Sequence, residues 1–162
     1  MPRLEYLDER TRRAILYFPC EENDTTPWTP LSRDLTQCRV ALVTSAAIHL
    51  RSDEPFPAAD SAEGDSSYRV IPSTAGVSDI IQSHLSIGFD RTGFYRDVNV
   101  VFPIERLREM AERGEIGSEA ESHYSFHGAT QRNSGPMVRE MGPSIASRLK
   151  EDGVNLVLLT PV

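Results

Sequence analysis

The feature that most constrains the fold is the last stretch of the chain, a helix-period segment, a glycine, and an almost unbroken apolar run. Residues 137–151 carry Met141, Ile145, Ala146 and Leu149 at helical spacing, Gly153 stops the pattern, and residues 154–159 are nearly all apolar. A strand that is apolar on both faces has no solvent side, so it belongs in a sheet covered by helices above and below. Residues 38–45 repeat that signature, a short β-branched run (Cys-Arg-Val-Ala-Leu-Val-Thr-Ser) bounded by polar residues. Further strands are predicted at residues 68–71, stopped by Pro72, and at residues 97–102. Pro103 then sits where a first helical turn tolerates it, and Ile104, Leu107 and Met110 begin a helix that Gly114 ends. Residues 77–85 suit a brief helix, and residues 123–126 a short strand or loop ending at Gly128. Strands alternating with helices predict an α/β fold, a mostly parallel sheet flanked by helices in a Rossmann-like or flavodoxin-like arrangement.

The first 37 residues read differently. Residues 4–17 suit a short amphipathic helix through Leu4, Leu7, Ala14, Ile15 and Tyr17. Pro19, Pro27 and Pro30 then surround Trp28 in what reads as an extended arm laid over the domain, with Trp28 as its anchor. The organisation expected is therefore an N-terminal helix and Pro-rich arm over residues 1–37 and an α/β domain over residues 38–162, incomplete at its C-terminus. Residues 51–67, rich in Asp, Glu, Ser, Pro and Ala, are expected to form a surface loop.

Charge narrows the functional classes. With 17 Lys and Arg against 24 Asp and Glu the formal net charge is -7, so neither a nucleic-acid footprint nor a polybasic membrane patch is expected. No apolar stretch approaches the roughly 20 residues of a membrane span, and the charged start lacks a secretory h-region, so a cytoplasmic location is the default. Lys150 is the sole lysine and hence the single Schiff-base candidate. Cys20 and Cys38 are too few and too far apart for a disulfide framework. Cys38 reads as a small core residue, and the acidic neighbours of Cys20 disfavour a reactive thiolate.

Five blocks, taken in order, resemble the glycine/sarcosine/betaine/D-proline reductase selenoprotein B family. They are Pro27-Trp28-Thr29-Pro30-Leu31 with residues 38–44 and 47–50; residues 64–73; residues 97–109 with Gly114-Glu115-Ile116-Gly117; His123-Tyr124-Ser125-Phe126 with Gly128; and residues 149–161. The length is nearer to the small subunit of D-proline reductase than to the longer glycine-reductase subunits. The resemblance implies an oxidoreductase subunit in which a selenolate or thiolate attacks the α-carbon of a small amino-acid-like substrate and displaces its amine. It also implies a partner subunit, in some systems carrying a carbonyl (pyruvoyl-type) group, or a homo-oligomer. In that family the run after the final strand carries selenocysteine or cysteine, closely followed by a second cysteine at the start of a helix. This sequence stops at Val162 and contains no Cys-x-x-Cys pair. Selenocysteine is encoded by UGA, so the expectation is a natural product that continues through selenocysteine after Val162. The alternatives are a gene that has lost the site or a chain cut there, which would leave a non-catalytic binding or assembly module.

Ligands of open parallel sheets bind beyond the carboxyl ends of the strands, and Thr160 closes what should be a central strand. A selenolate at the following helix N-terminus would be stabilised by the helix dipole. His49, after the first strand, is a candidate acid or base. Arg69 is a candidate carboxylate clamp, or else a structural ion pair, with Tyr68 beside it in a matched block. Ser73 and Thr74 are candidate anion donors, or simply turn residues. His123 and Tyr124 come from the matched fourth block. A zinc reading of His123 and His127 with His84 or Asp90 fails, because four residues of extended chain span about 13 Å and zinc needs each nitrogen at about 2 Å. No Gly-x-Ser-x-Gly elbow, P-loop or dinucleotide fingerprint supports a hydrolase or α/β sensor.

Overall fold

The computed structural model describes residues 3–17, 24–26, 29–57, 65–84, 89–128 and 137–162. The chain divides into two compact units, Met1–Pro30 and Leu31–Val162. In the first, a 3-10 turn, Leu4–Tyr6, precedes helix α1, Glu9–Leu16. Asp8 caps α1 by accepting from the N–H (3.0 Å) and the hydroxyl (2.6 Å) of Thr11. No residue of α1 is buried. Trp28 and Cys20 lie outside the described residues.

The second unit is an α/β layer structure built on strand β1, Arg39–Thr44. Its described strands are β2 (Ile48–Leu50), β3 (Tyr68–Pro72), β4 (Ile80–Gln82), β5 (Ser118–Glu119), β6 (Ser122–Phe126) and β7 (Leu156–Thr160). Its described helices are α2 (Thr92–Arg96), α3 (Ile104–Glu112) and α4 (Gly142–Glu151), the last entered through a π-helical turn, Met137–Met141. β1 pairs in parallel with β5, β6 and β7, and β3 closes the far side antiparallel to β6. The sheet is thus mixed and mostly parallel, as expected. β2 and β4 form a separate antiparallel pair.

Alternation along β1 decides which helix covers which face. Val40 and Leu42 pack with Ile104 and Leu107 of α3 and with Phe102, whereas Ala41 and Val43 pack with Ile145 and Leu149 of α4. Both helices end as their glycines require. Gly114 and Gly153 take φ of 69° and 72°, and the next N–H reaches back five residues, Glu115 to Met110 O and Val154 to Leu149 O (2.9 Å each).

Three expectations are corrected. Residues 97–102 are not a strand: Asp97 Oδ1 accepts from Asn99 N (2.9 Å), which folds Val98–Val100 into a 3-10 turn. Short polar side chains that bond their own backbone compete with a ladder in this way. Residues 77–84 are not a helix but a 3-10 turn, Val77–Asp79, leading into β4, while Leu85 lies outside the described residues. β7 is not central. It pairs only with β1 among the described strands, so it lies at the edge of the sheet.

Candidate functional site

The topology identifies where a site belongs. The chain leaving β1 returns through α3 on the Val40/Leu42 face, and the chain leaving the adjacent β6 returns through α4 on the Ala41/Val43 face. Neighbouring strands whose connections depart to opposite faces leave a crevice beyond their carboxyl ends. Ser45 and Ala46 line that point on one side, His127 and Gly128 on the other, and Thr160 to Val162 follow β7 at the same end.

Hydroxyls and backbone groups hold this end together. Thr44 Oγ1 and Thr160 Oγ1 both donate to Val101 O (2.9 Å each). Ser45 Oγ accepts from Val162 N (2.9 Å) and lies 3.3 Å from Val162 O, while Ser45 O accepts from Gly128 N (3.0 Å). A Cβ on Gly128 would lie 3.0 Å from Ser45 Cβ and 3.1 Å from its O and Oγ, so the two segments touch without room for a side chain. Ala47 takes a left-handed φ of 51° and is held by Phe126 O (3.0 Å) and by Ser83 N (2.9 Å).

All four histidines are buried. His123 plugs a gap in the ladder: between the β5 and β6 registers, Val40 to Val43 on β1 is matched by Glu119 to Tyr124 opposite. Its Nδ1 accepts the otherwise unpaired Leu42 N–H (3.0 Å), so its proton sits on Nε2, which faces Glu119 Oε1 (3.0 Å). Ser125 Oγ takes the N–H of Ile48 (2.9 Å) in the same manner. His49 donates from Nδ1 to Leu50 O (2.7 Å), which leaves Nε2 to accept from Ser83 Oγ (2.8 Å). His84 and His127 stack at 4.7 Å and 15°, and Phe56 meets both His49 and His127 edge-on. Burial lowers His84 to about 4, helped by His127 and Arg91. Burial also lowers His127, against the pull of Asp65.

The remaining candidates are spread out. Arg69 spends its donors on Glu54 O (2.8 Å), Ser67 Oγ (2.9 Å), Tyr68 O (3.1 Å) and Pro55 O (3.3 Å), with its guanidinium 4.3 Å over the Phe56 ring. It ties down the loop before β3 and borders an open cleft with Asp53, Asp65 and Ser67. Tyr68 bonds Ser144 (3.0 Å) of α4 and packs edge-on against Tyr124, whose phenol burial raises above its usual value. Ser73 lies at the opposite end from the crevice, because β3 runs antiparallel and Pro72 pairs with Ser122 at the start of β6. Its carbonyl, like that of Ala75, accepts from Arg108. Cys38 is also at the amino end, fully buried, with Sγ 3.4 Å from Asp34 O. Lys150 is exposed on α4. Among the described residues no group of three or more His, Cys, Asp or Glu is placed to hold a metal ion. Sequence reasoning missed Ser45; a Thr-Ser pair closing an apolar run is the one signal that could have marked it.

The class defined by these features is an α/β domain built on a mostly parallel sheet, with β1, β6 and β7 ending together at their carboxyl ends. Residues 14–162 match the glycine/sarcosine/betaine reductase selenoprotein B family, and the chain belongs to it. Similar proteins include the D-proline reductase subunit gamma of Acetoanaerobium sticklandii, 41% identical over 82% of this chain and 52% of the relative. The glycine reductase complex component B subunit gamma of Carboxydothermus hydrogenoformans is 31% identical over 88% of this chain and 32% of the relative. The sarcosine reductase complex component B subunit beta of Peptoclostridium acidaminophilum gives the same figures, 31%, 88% and 32%. The chain therefore spans about half the length of the first of these relatives and about a third of the other two. No solved structure matches it significantly. Among the described residues no helix is long and apolar enough to cross a membrane.

Proposed function

We propose that this chain forms the α/β portion of a selenoprotein B-type reductase subunit that acts on a small amino acid or close derivative in the cytoplasm. In this reading a selenocysteine or cysteine follows Val162. Its selenolate or thiolate supplies the nucleophile that forms a bond to the substrate α-carbon as the C–N bond breaks and the amine departs with a proton. The thiolate of the closely following cysteine then bonds to that selenium or sulfur as its bond to the α-carbon breaks, and the carbon takes up a proton and leaves as product. A dithiol is oxidised to a disulfide in reducing the resulting selenenyl sulfide or disulfide. The observation that carries the reading is the pinning of Val162 by Ser45 at the strand-end crevice, in a chain 41% identical to a D-proline reductase subunit. The residues present fit a nucleophile there, because three parallel strands end together and Ser45 fixes the backbone from which it would extend. The protein's own part is to hold that backbone, through Ser45, at the strand ends next to the buried His127. A partner subunit, carrying a carbonyl group that activates the amine, belongs to the same proposal.

Genomic DNA read past the Val162 codon tests it directly. An in-frame UGA or Cys codon, with a second Cys codon closely following, supports the reading; any other stop or an unrelated frame sinks it. The second reading, a non-catalytic binding or assembly module, is favoured by one observation. The described crevice holds no thiol, and Cys38 is buried at the far end of β1.

A further inference from the structure

Val162 is held where ordinary folding gives little reason to hold it. The β1–β7 ladder ends at the Thr44–Thr160 pair, Pro161 has no N–H to donate, and Val162 is 42% exposed. Little apolar burial rewards fixing such a residue. Yet the buried Ser45 hydroxyl takes its N–H at 2.9 Å and faces its carbonyl at 3.3 Å. A hydroxyl both accepts and donates, so one oxygen serves both groups. Ser45 is itself immobilised from two sides. Its N–H donates to Thr160 O (3.3 Å), its carbonyl accepts from Gly128 N (3.0 Å), and Gly128 lies flush against it. A strand-end trim would need neither the second contact to Val162 nor a glycine pressed against the serine.

We infer that Ser45 is a positioning residue, backed by Gly128, that fixes the backbone of Val162 and so sets the direction in which the chain continues past the carboxyl ends of β1 and β7. This inference rests on the reading above, in which the redox residue follows Val162. Ser45 acts through the direction it imposes on the chain.

The test is Ser45→Ala in the full natural subunit with its partner, with Ser45→Thr as the conservative rescue. Ser45→Ala removes one oxygen and leaves the backbone bonds to Thr160 and Gly128, so the fold is retained. Amide exchange at Val162 should quicken about fivefold with the loss of that acceptor. Iodoacetamide labelling of the redox residue, followed by mass spectrometry, should rise about threefold as the residue gains freedom. Turnover should fall about tenfold in kcat with KM nearly unchanged, because orientation and not binding is lost. Ser45→Thr should restore all three. Exchange, labelling and kcat within about twofold of the natural protein in Ser45→Ala, at any pH from 6 to 9, would overturn the inference while leaving the reading intact. A gene with no Sec or Cys codon after Val162 removes the reading and this inference together.

Discussion

β1 and β7 are almost the same strand by composition and lie side by side in parallel register from Val40–Leu156 to Thr44–Thr160. Their burial is opposite. Val40, Ala41, Leu42 and Val43 are 0–8% exposed, whereas Leu158 is 46% and Leu159 67% exposed. β1 has partners on both edges and a helix over each face; β7 has one described partner, and its cover thins toward the carboxyl end. Leu156 and Val157 still reach the two core clusters, one on each face, but the next two residues do not. An apolar run therefore states that a strand needs burial without saying how much its own chain provides. The shortfall falls at the same end as the crevice.

The largest effect expected from this contrast is at Leu42. It is fully buried under α3, so Leu42→Ala should cost about 3–4 kcal/mol in urea unfolding. Leu158→Ala, one strand over on the matching register pair, should cost less than about 1 kcal/mol. Equal costs at the two positions would break the comparison and mean that β7 is covered in solution.

Acid should act on the buried surroundings of β1 and spare β7. The folded state holds His84 at about 4, against about 6.5 in the unfolded chain. The folded state thus binds fewer protons between these values, and stability rises with pH there. The contribution is complete above the unfolded value and lost as pH falls from it toward the folded one. Up to about 3 kcal/mol is at stake, at about 1.4 kcal/mol per unit. His127 shifts in the same direction. Urea unfolding at pH 7.5 and 4.5 measures the loss, and His84→Phe should flatten it. An unchanged slope in that variant would place the acid sensitivity elsewhere.

His123 sharpens the same contrast, since it supplies the bond that β1 lacks where β5 and β6 separate. His123→Ala leaves the Leu42 N–H and Glu119 without this partner and should cost about 2 kcal/mol. His123→Asn, whose Oδ1 can stand in for Nδ1, should recover part of that, as read by thermal unfolding.

Much of this architecture was legible because particular residues punctuate it. Gly114 and Gly153 end their helices at positive φ, and the two apolar runs became β1 and β7. What was not legible depended on information that a strand does not carry in itself. Nothing in Tyr68 to Pro72 indicates that β3 runs antiparallel, yet that direction moves Ser73 to the wrong end for the crevice. Residues 97–102 have strand composition, and only the Asp97–Asn99 contact turns them. His123 stood out as a chemical group, but the structure gives both of its nitrogens to neighbours within the sheet and at its edge. The pairing of Ser45 with Val162 spans most of the domain and leaves no local pattern.

The smallest effect on stability should come from Leu159, the most exposed apolar residue of β7. Leu159→Lys should change unfolding by less than about 0.5 kcal/mol, because little surface is removed from water there on folding. Its effect on association should be the reverse. An edge strand with apolar side chains exposed on both faces is a template for pairing, and a lysine on such an edge opposes it. Light scattering on this 162-residue chain should therefore show concentration-dependent self-association that Leu159→Lys weakens. A monodisperse monomer in both forms would mean that exposure at β7 is tolerated without a partner. If β7 instead associates with another subunit, Leu159→Lys should weaken that complex while the isolated chain keeps its stability. That would separate the edge strand's contribution to assembly from β1's contribution to the core.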